Sequence, residues 1–162
     1  MLGNTLNDDV LKDLAASAST DVGRLLQASA RSLTVAIWER AVASGHPEIR
    51  RSHSAIFDNL DADGTRISAL AARAGISRQA MGAMVREVEE LGYLQSTPDE
   101  RDGRATVVGL TPRGADFCHA AIDAATEVNR EVDELLGRES ANALRAQLHT
   151  LVAARRTRHA SA

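Results

Sequence analysis

Between Ile67 and Met84 the chain is a run of small and apolar residues interrupted by Gly75. Leu70, Ala71 and Ala74 share one face at helical spacing. Ser68 is placed to cap the helix that carries them. Ala71 is small where a second helix must cross closely. Gly75 supplies the left-handed residue that ends the first helix. Ile76 plugs the corner, and Ser77 caps the second helix. Met81, Met84, Val85, Val88 and Leu91 then continue an apolar stripe with a period of about 3.6. Two helices joined by so short a turn form a helix-turn-helix, whose second helix is shaped to enter a DNA major groove.

The sequence beyond that unit narrows the reading. The second helix ends at Gly92, and Tyr93 to Ser96 reads as a strand. A turn signal follows at Asp102-Gly103. Ala105 to Leu110 reads as the returning strand, and Thr65 to Ile67 as a small third one. Thr111 then caps a helix with Pro112 at its first position. A helix-turn-helix followed by an arginine-tipped hairpin is a winged helix.

Four stretches carry a resemblance to a known family. They are Leu70 to Ser77, Val88 to Leu94, Asp99 to Arg104, and Leu110 to Gly114. In them the chain resembles the MarR family (multiple antibiotic resistance regulators), most specifically in the Asp-x-Arg-Asp-x-Arg wing followed by Leu-Thr-Pro-x-Gly. The match covers about Ser54 to Phe117, and the flanks match in helical character. The resemblance implies a mainly α fold: a winged helix-turn-helix unit with a small β-hairpin wing, flanked by N- and C-terminal dimerisation helices. The family's first, fifth and sixth helices interleave across a two-fold axis, and its two wings flank a pseudo-palindrome.

The rest of the chain suits that plan. Residues 1–20 read as an extension, a short helix or a frayed end. Val22, Leu25, Leu26, Leu33, Ile37 and Trp38 make a long amphipathic helix ending near Ser44-Gly45. Pro47 starts another, with Ile49, His53, Ile56, Phe57 and Leu60 on one face. Pro112 to Leu136 is a long helix stopped by Gly137. A last helix runs from Glu139 to about Arg156, with Leu144, Leu148, Leu151 and Val152 in register. The expected division is 21–46 with 112–158 for dimerisation, and 47–111 for DNA. The flanking stripes exceed what a winged helix needs for its own core. A self-complementary helical pad is their simple use, and two recognition helices on one duplex add their binding energies. The plain alternative is a monomer folding these helices over itself.

Ser77, Arg78, Gln79 and Ala83 occupy the exposed side of the second helix's first turns. Arg78 suits guanine or a phosphate, and Gln79 suits adenine. Ser68 and Ser77 sit at helix N-termini, which favour phosphate, and Arg86 further along suits the DNA backbone. The bland reading of Arg78 and Gln79 is a solvated helix face. Gly82 costs about 1 kcal/mol against Ala in mid-helix, explained either by close approach to DNA or by tight packing on the preceding helix. In the wing, Arg101 and Arg104 are the minor-groove and phosphate candidates, with Asp99 and Asp102 orienting them. The resemblance favours Arg104 as the groove-inserting arginine. Many family members carry bulkier residues at the sites of Gly82 and Ala83, so no base preference carries over.

MarR-like proteins are often released from DNA by small aromatic or phenolic effectors bound between the dimerisation helices and the winged unit. Trp38, His53 and Phe57 are the residues here that suit such a ligand, with His46, Arg50 and Arg51 nearby. Taken singly, Trp38 and Phe57 read as core and His53 as a satisfied interior histidine. Cys118 lies after the wing, whereas redox-sensing relatives place their reactive cysteine in the first helix, so it reads as inert burial. His46, His53, Cys118 and His119 have no spacing that joins three metal ligands, and no cofactor is expected.

Composition bounds these readings. The net charge of −3 argues against indiscriminate polyanion binding. All 19 basic residues but Lys12 are arginine, which fits a GC-rich coding bias and equally fits arginine forks on guanine and phosphate. No paired carboxylates in a glycine-rich setting, nucleophile elbow or P-loop appears, so turnover is not expected. No apolar run approaches the roughly 18 residues of a membrane span, and no secretory leader is evident. The expectation is a cytoplasmic, homodimeric regulator on double-stranded DNA. The competing class is an architectural or partner-binding winged helix without small-molecule response.

Overall fold

The structure, a computed structural model, describes residues 8, 10–12, 20–99 and 102–160, and at 102–105 and 155–160 the backbone alone. Of the N-terminal extension, residues 8 and 10–12 are helical, and the remainder up to residue 19 lies outside the described residues. Helix α1 spans Val22–Ala43. Its cap is Asp21, whose carboxylate accepts the Arg24 N–H at 2.8 Å.

The helix expected to start at Pro47 does not form there. A single 3-10 turn at Arg51–His53 leads into a four-residue helix α2, Ser54–Phe57. Arg50 keeps an extended backbone, and its N–H donates to His53 Nδ1 at 3.1 Å instead of to a helical carbonyl. A side-chain acceptor thus replaces the first turn of helix.

Strand β1, Thr65–Arg66, runs without a break into α3, Ile67–Ala74. Ser68 is therefore not the cap: Arg66 holds that position and makes no side-chain cap bond. Pairing of Thr65 with Val108 and Arg66 with Val107 holds the chain extended up to Arg66, and the helix begins at the next residue. Gly75 is left-handed (φ 67°, ψ 28°), and Ile76 N–H returns to Ala71 O at 3.1 Å. Ile76 itself is exposed and does not fill the corner. Ser77 caps α4, Arg78–Glu90, by accepting the Ala80 N–H at 3.1 Å.

Strands β2, Leu94–Asp99, and β3, Asp102–Leu110, complete an antiparallel sheet of order β1-β3-β2. Pro98 is tolerated because β2 is an edge strand. Asp99 faces Asp102 across the ladder after a register shift between Pro98 and Asp99. Asp102-Gly103 opens the returning strand and is not the turn.

Helix α5, Pro112–Leu136, starts at a joint that accounts for its leading motif. Thr111 accepts the Gly114 N–H at 3.1 Å and donates to Gly92 O at 2.6 Å, while its own N–H meets Tyr93 O. A Cβ at Gly114 would lie 2.0 Å from Tyr93 O, so no other residue fits. Gly137 (φ 79°) separates α5 from α6, Arg138–Ala160.

The core joins both parts of the chain. Ile56, Leu70, Met81, Val85, Val88 and Val108 are fully buried between α2, α3, α4 and the sheet. All four aromatic residues meet at Phe117 on α5: its ring centroid lies 5.3 Å from Trp38, 4.9 Å from Phe57 and 6.1 Å from Tyr93. Helix α1 packs along α5, and α5 against α6. Their outer faces leave Leu25, Ile122, Leu135, Leu144, Leu151 and Val152 exposed.

Candidate nucleic-acid interface

Helix α4 separates its residues cleanly. Met81, Val85 and Val88 face the core. Arg78, Gln79, Ala83 and Arg86 face outward and are exposed, as is Ser77 at the cap. Burial of the three apolar side chains, at about 1.5–3 kcal/mol each, fixes the helix's rotation and so decides which residues protrude. Ser68 is exposed too, in the first turn of α3. It lies two residues beyond the cap position, without the capping role.

Gly82 is settled on one side. A Cβ there would meet only Arg86 Nη1 at 3.6 Å and Ile67 Cγ2 at 4.0 Å, which is ordinary contact. Packing on α3 therefore does not require glycine. The same distance shows the Arg86 guanidinium folded back along α4 beside Gly82.

In the wing, Arg101 lies outside the described residues, and at Asp102 and Arg104 only the backbone is described. At the base of the wing, Asp99 is bound by Arg66. Its carboxylate Oδ2 takes two contacts from Arg66, Nη2 at 2.6 Å and Nε at 2.7 Å. That pair ties the base of the wing to the residue just before α3. Strand order, which puts β1 beside β3, brings Arg66 within reach. On the other end of α3, Arg73 binds Asp61 at 2.8 Å and Asn59 O at 2.8 Å, which holds the Asp61 carboxyl below its usual range.

Behind the helix, α1, α2 and α5 line a half-open cavity of about 420 Å³. Trp38, Arg51, Ser54, Phe57, Phe117 and Cys118 are among its walls. Trp38 and Phe57 thus occupy the place the sequence suggested. His53 does not: it is fully buried on the other side of α2, against α4. The 3-10 turn rotates it away from the cavity. Burial, reinforced by Arg50, pushes its pKa down and keeps it neutral. Cys118 is half-buried, and burial pushes its thiol pKa up.

Several residues with structural consequence had no local sequence signal. Tyr93 is buried, with its hydroxyl 3.1 Å from His46 Nδ1 and donating to Glu48 Oε2 at 3.2 Å. Arg113 lies over the Tyr93 ring at 4.4 Å, binds Glu48 at 3.0 Å and donates to Leu91 O at 2.9 Å. It ties α5 to the end of α4. Burial pushes the Tyr93 pKa up; the Glu48 backbone N–H and Arg113 hold the Glu48 carboxyl down. Glu87 of α4 pairs with Arg50. These partners are tens of residues apart, so only the known fold would have exposed them. A metal ion has no evident seat: among the described residues no group of three His, Cys, Asp or Glu is suitably placed.

Residues 49–105 match the MarR family. The fold resembles that of apo MarR from E. coli, at a TM-score of 0.66 and 17% identity, covering 81% of this chain and 96% of that one. CouR from Rhodococcus jostii RHA1 bound to p-coumaroyl-CoA gives 0.63 and 22%, covering 83% and 93%. The transcriptional repressor CouR bound to a 23-mer DNA duplex gives 0.59 and 24%, covering 83% and 94%. Among curated proteins, none matches the sequence.

Proposed function

We propose that the protein is a homodimeric, sequence-specific DNA-binding transcriptional regulator of the MarR family, a reading supported by the match of residues 49–105 to that family and by the likeness of the fold to apo MarR. It acts as a repressor that occupies a pseudo-palindromic operator. The observation that carries this reading is the division of α4, with Met81, Val85 and Val88 inside and Arg78, Gln79, Ala83 and Arg86 outside.

Arg78 contacts guanine or phosphate, and Gln79 adenine, in the major groove. Ser77 and Ser68 approach phosphates, the Ser77 hydroxyl donating outward while its oxygen caps α4. Arg86 follows the DNA backbone. Arg101 and Arg104 carry the wing to the minor groove, with Asp102 beside them. Gly82 lets the α4 backbone lie close to the duplex. Residues 47–111 form the DNA-binding region, and 21–46 with 112–158 the dimerisation region. The exposed apolar faces of α1, α5 and α6 support a second copy as their cover, since such surface is costly to leave in water. A small aromatic or phenolic effector fits the cavity walled by Trp38, Phe57 and Phe117. The CouR structures, one with DNA and one with p-coumaroyl-CoA, support pairing these two activities in one fold. No helix among the described residues is long and apolar enough to cross a membrane, which suits action on a promoter in the cytoplasm.

The test is selection of bound duplexes from a random pool. A two-fold symmetric consensus with half-sites about 10 base pairs apart is expected. Enrichment of no symmetric sequence would remove the operator-binding dimer.

A further inference from the structure

We propose that Glu87 is a positioning residue that couples the aromatic cavity to α4: the segment 50–58 lines the cavity with some of its side chains and holds Glu87 with the others. The proposal rests on the DNA-binding reading of α4. Arg51, Ser54, Phe57 and Asp58 of this segment face the cavity. Arg50 and His53, interleaved with them, reach the opposite way to Glu87.

The two holds on Glu87 are unequal. The Arg50 guanidinium pairs with Glu87 Oε1. His53 accepts the Arg50 N–H on Nδ1, so its ring proton sits on Nε2. That N–H is buried, lacks a hydrogen-bond partner and lies 3.5 Å from Glu87 Oε2. A buried donor short of its acceptor is stabilised by any movement that closes the gap. Few helical hydrogen bonds oppose such a movement, since the segment's regular structure amounts to one 3-10 turn and a four-residue helix. An occupant that pushes on Phe57 and Ser54 shifts the same backbone that carries Arg50 and His53. Glu87 then exchanges one hold for the other, and α4 moves with it. Glu87 lies one turn beyond Ala83, so the change reaches the outward face of the helix directly.

Cys118, the chain's single cysteine, lines the same cavity and allows it to be filled after folding. With benzyl methanethiosulfonate at alkaline pH, the thiolate attacks the sulfenyl sulfur, a disulfide to the benzylthio group forms and methanesulfinate leaves. Dithiothreitol reverses it. On a duplex selected as above, the label is expected to weaken binding by the native protein about tenfold or more, reversibly. In Glu87→Gln the label's effect is expected to shrink to about threefold or less. Amide hydrogen exchange over residues 78–90, read without DNA, should quicken on labelling in the native protein and stay unchanged on labelling in Glu87→Gln. An equal effect of the label in both proteins overturns the coupling, as does a label that leaves native exchange unaltered. If the native protein selects no duplex, the DNA-binding reading fails, and the exchange measurement still decides the coupling.

Discussion

The winged unit and the helical flanks are stabilised in opposite ways. From α3 to the start of α5 the chain completes its own contacts: caps at Ser77 and Thr111, a left-handed stop at Gly75, a shared apolar core and ion pairs at Arg66 and Arg73. Helices α1, α5 and α6 are longer, yet Leu135, Leu144, Leu151 and Val152 remain in water. Length and apolar content do not by themselves make a region self-sufficient. The short unit is finished by its own residues, whereas the long one presents a face that lacks a cover.

The largest expected effect strikes the joint between the two. Gly114→Ala drives a Cβ into the Tyr93 carbonyl. Overpacking against immobile backbone should cost about 3 kcal/mol or more, seen as a lower urea midpoint at any protein concentration. A native midpoint in this variant would show that the joint is soft and the contrast overstated.

Next comes the uncovered face. Leu151→Glu places a charge where a second copy is proposed to pack, and an uncompensated charge in such a contact costs several kcal/mol. Sedimentation should show a dimer for the native chain and a monomer for the variant, with the winged unit's far-UV signature retained. A dimer of unchanged affinity would show that this stripe stays in water, and the flanks would need another explanation.

A smaller effect sharpens the contrast within the winged unit. His53 is neutral when buried, with a pKa below its usual value, while the unfolded chain takes up a proton near pH 6.5. Its contribution to stability is therefore complete above that pH and declines as pH falls below it. The decline is at most about 1.4 kcal/mol per pH unit for one proton. Urea midpoints from pH 7.5 down to 5 should fall less steeply in His53→Gln. Identical slopes would place the proton uptake elsewhere.

The smallest effect carries a sign that divides stability from function. Gly82→Ala has room for its methyl group and should stabilise the fold by about 1 kcal/mol. Affinity for a selected duplex should fall in the same variant, because the backbone of α4 is held off. A gain in both would mean the glycine serves neither packing nor DNA.

Features set by adjacent residues were legible, and those set by distant ones were not. Gly75, Ser77, Thr111 and the α4 stripe follow from local rules of capping and periodicity, and the structure places them accordingly. Ser68 is not the cap of α3, because pairing between β1 and β3, distant in sequence, decides where that helix begins. Asp102-Gly103 carries a local turn signal, but the ladder that pairs Asp99 with Asp102 makes it the start of β3. Asp99 also binds Arg66, a partner that strand order supplies and that no pattern within the wing announces.

Sequence alone determined that this chain makes a helix-turn-helix with a wing and long helices on either side, since hydrophobic period, caps and glycine stops act within a few residues. Tertiary structure decided the partners. It turned His53 from the cavity to Glu87, gathered four aromatic rings at Phe117 and made Gly114 irreplaceable. Such contacts depend on which surfaces the packed core brings to within a few ångströms, and no pattern along the chain encodes that distance.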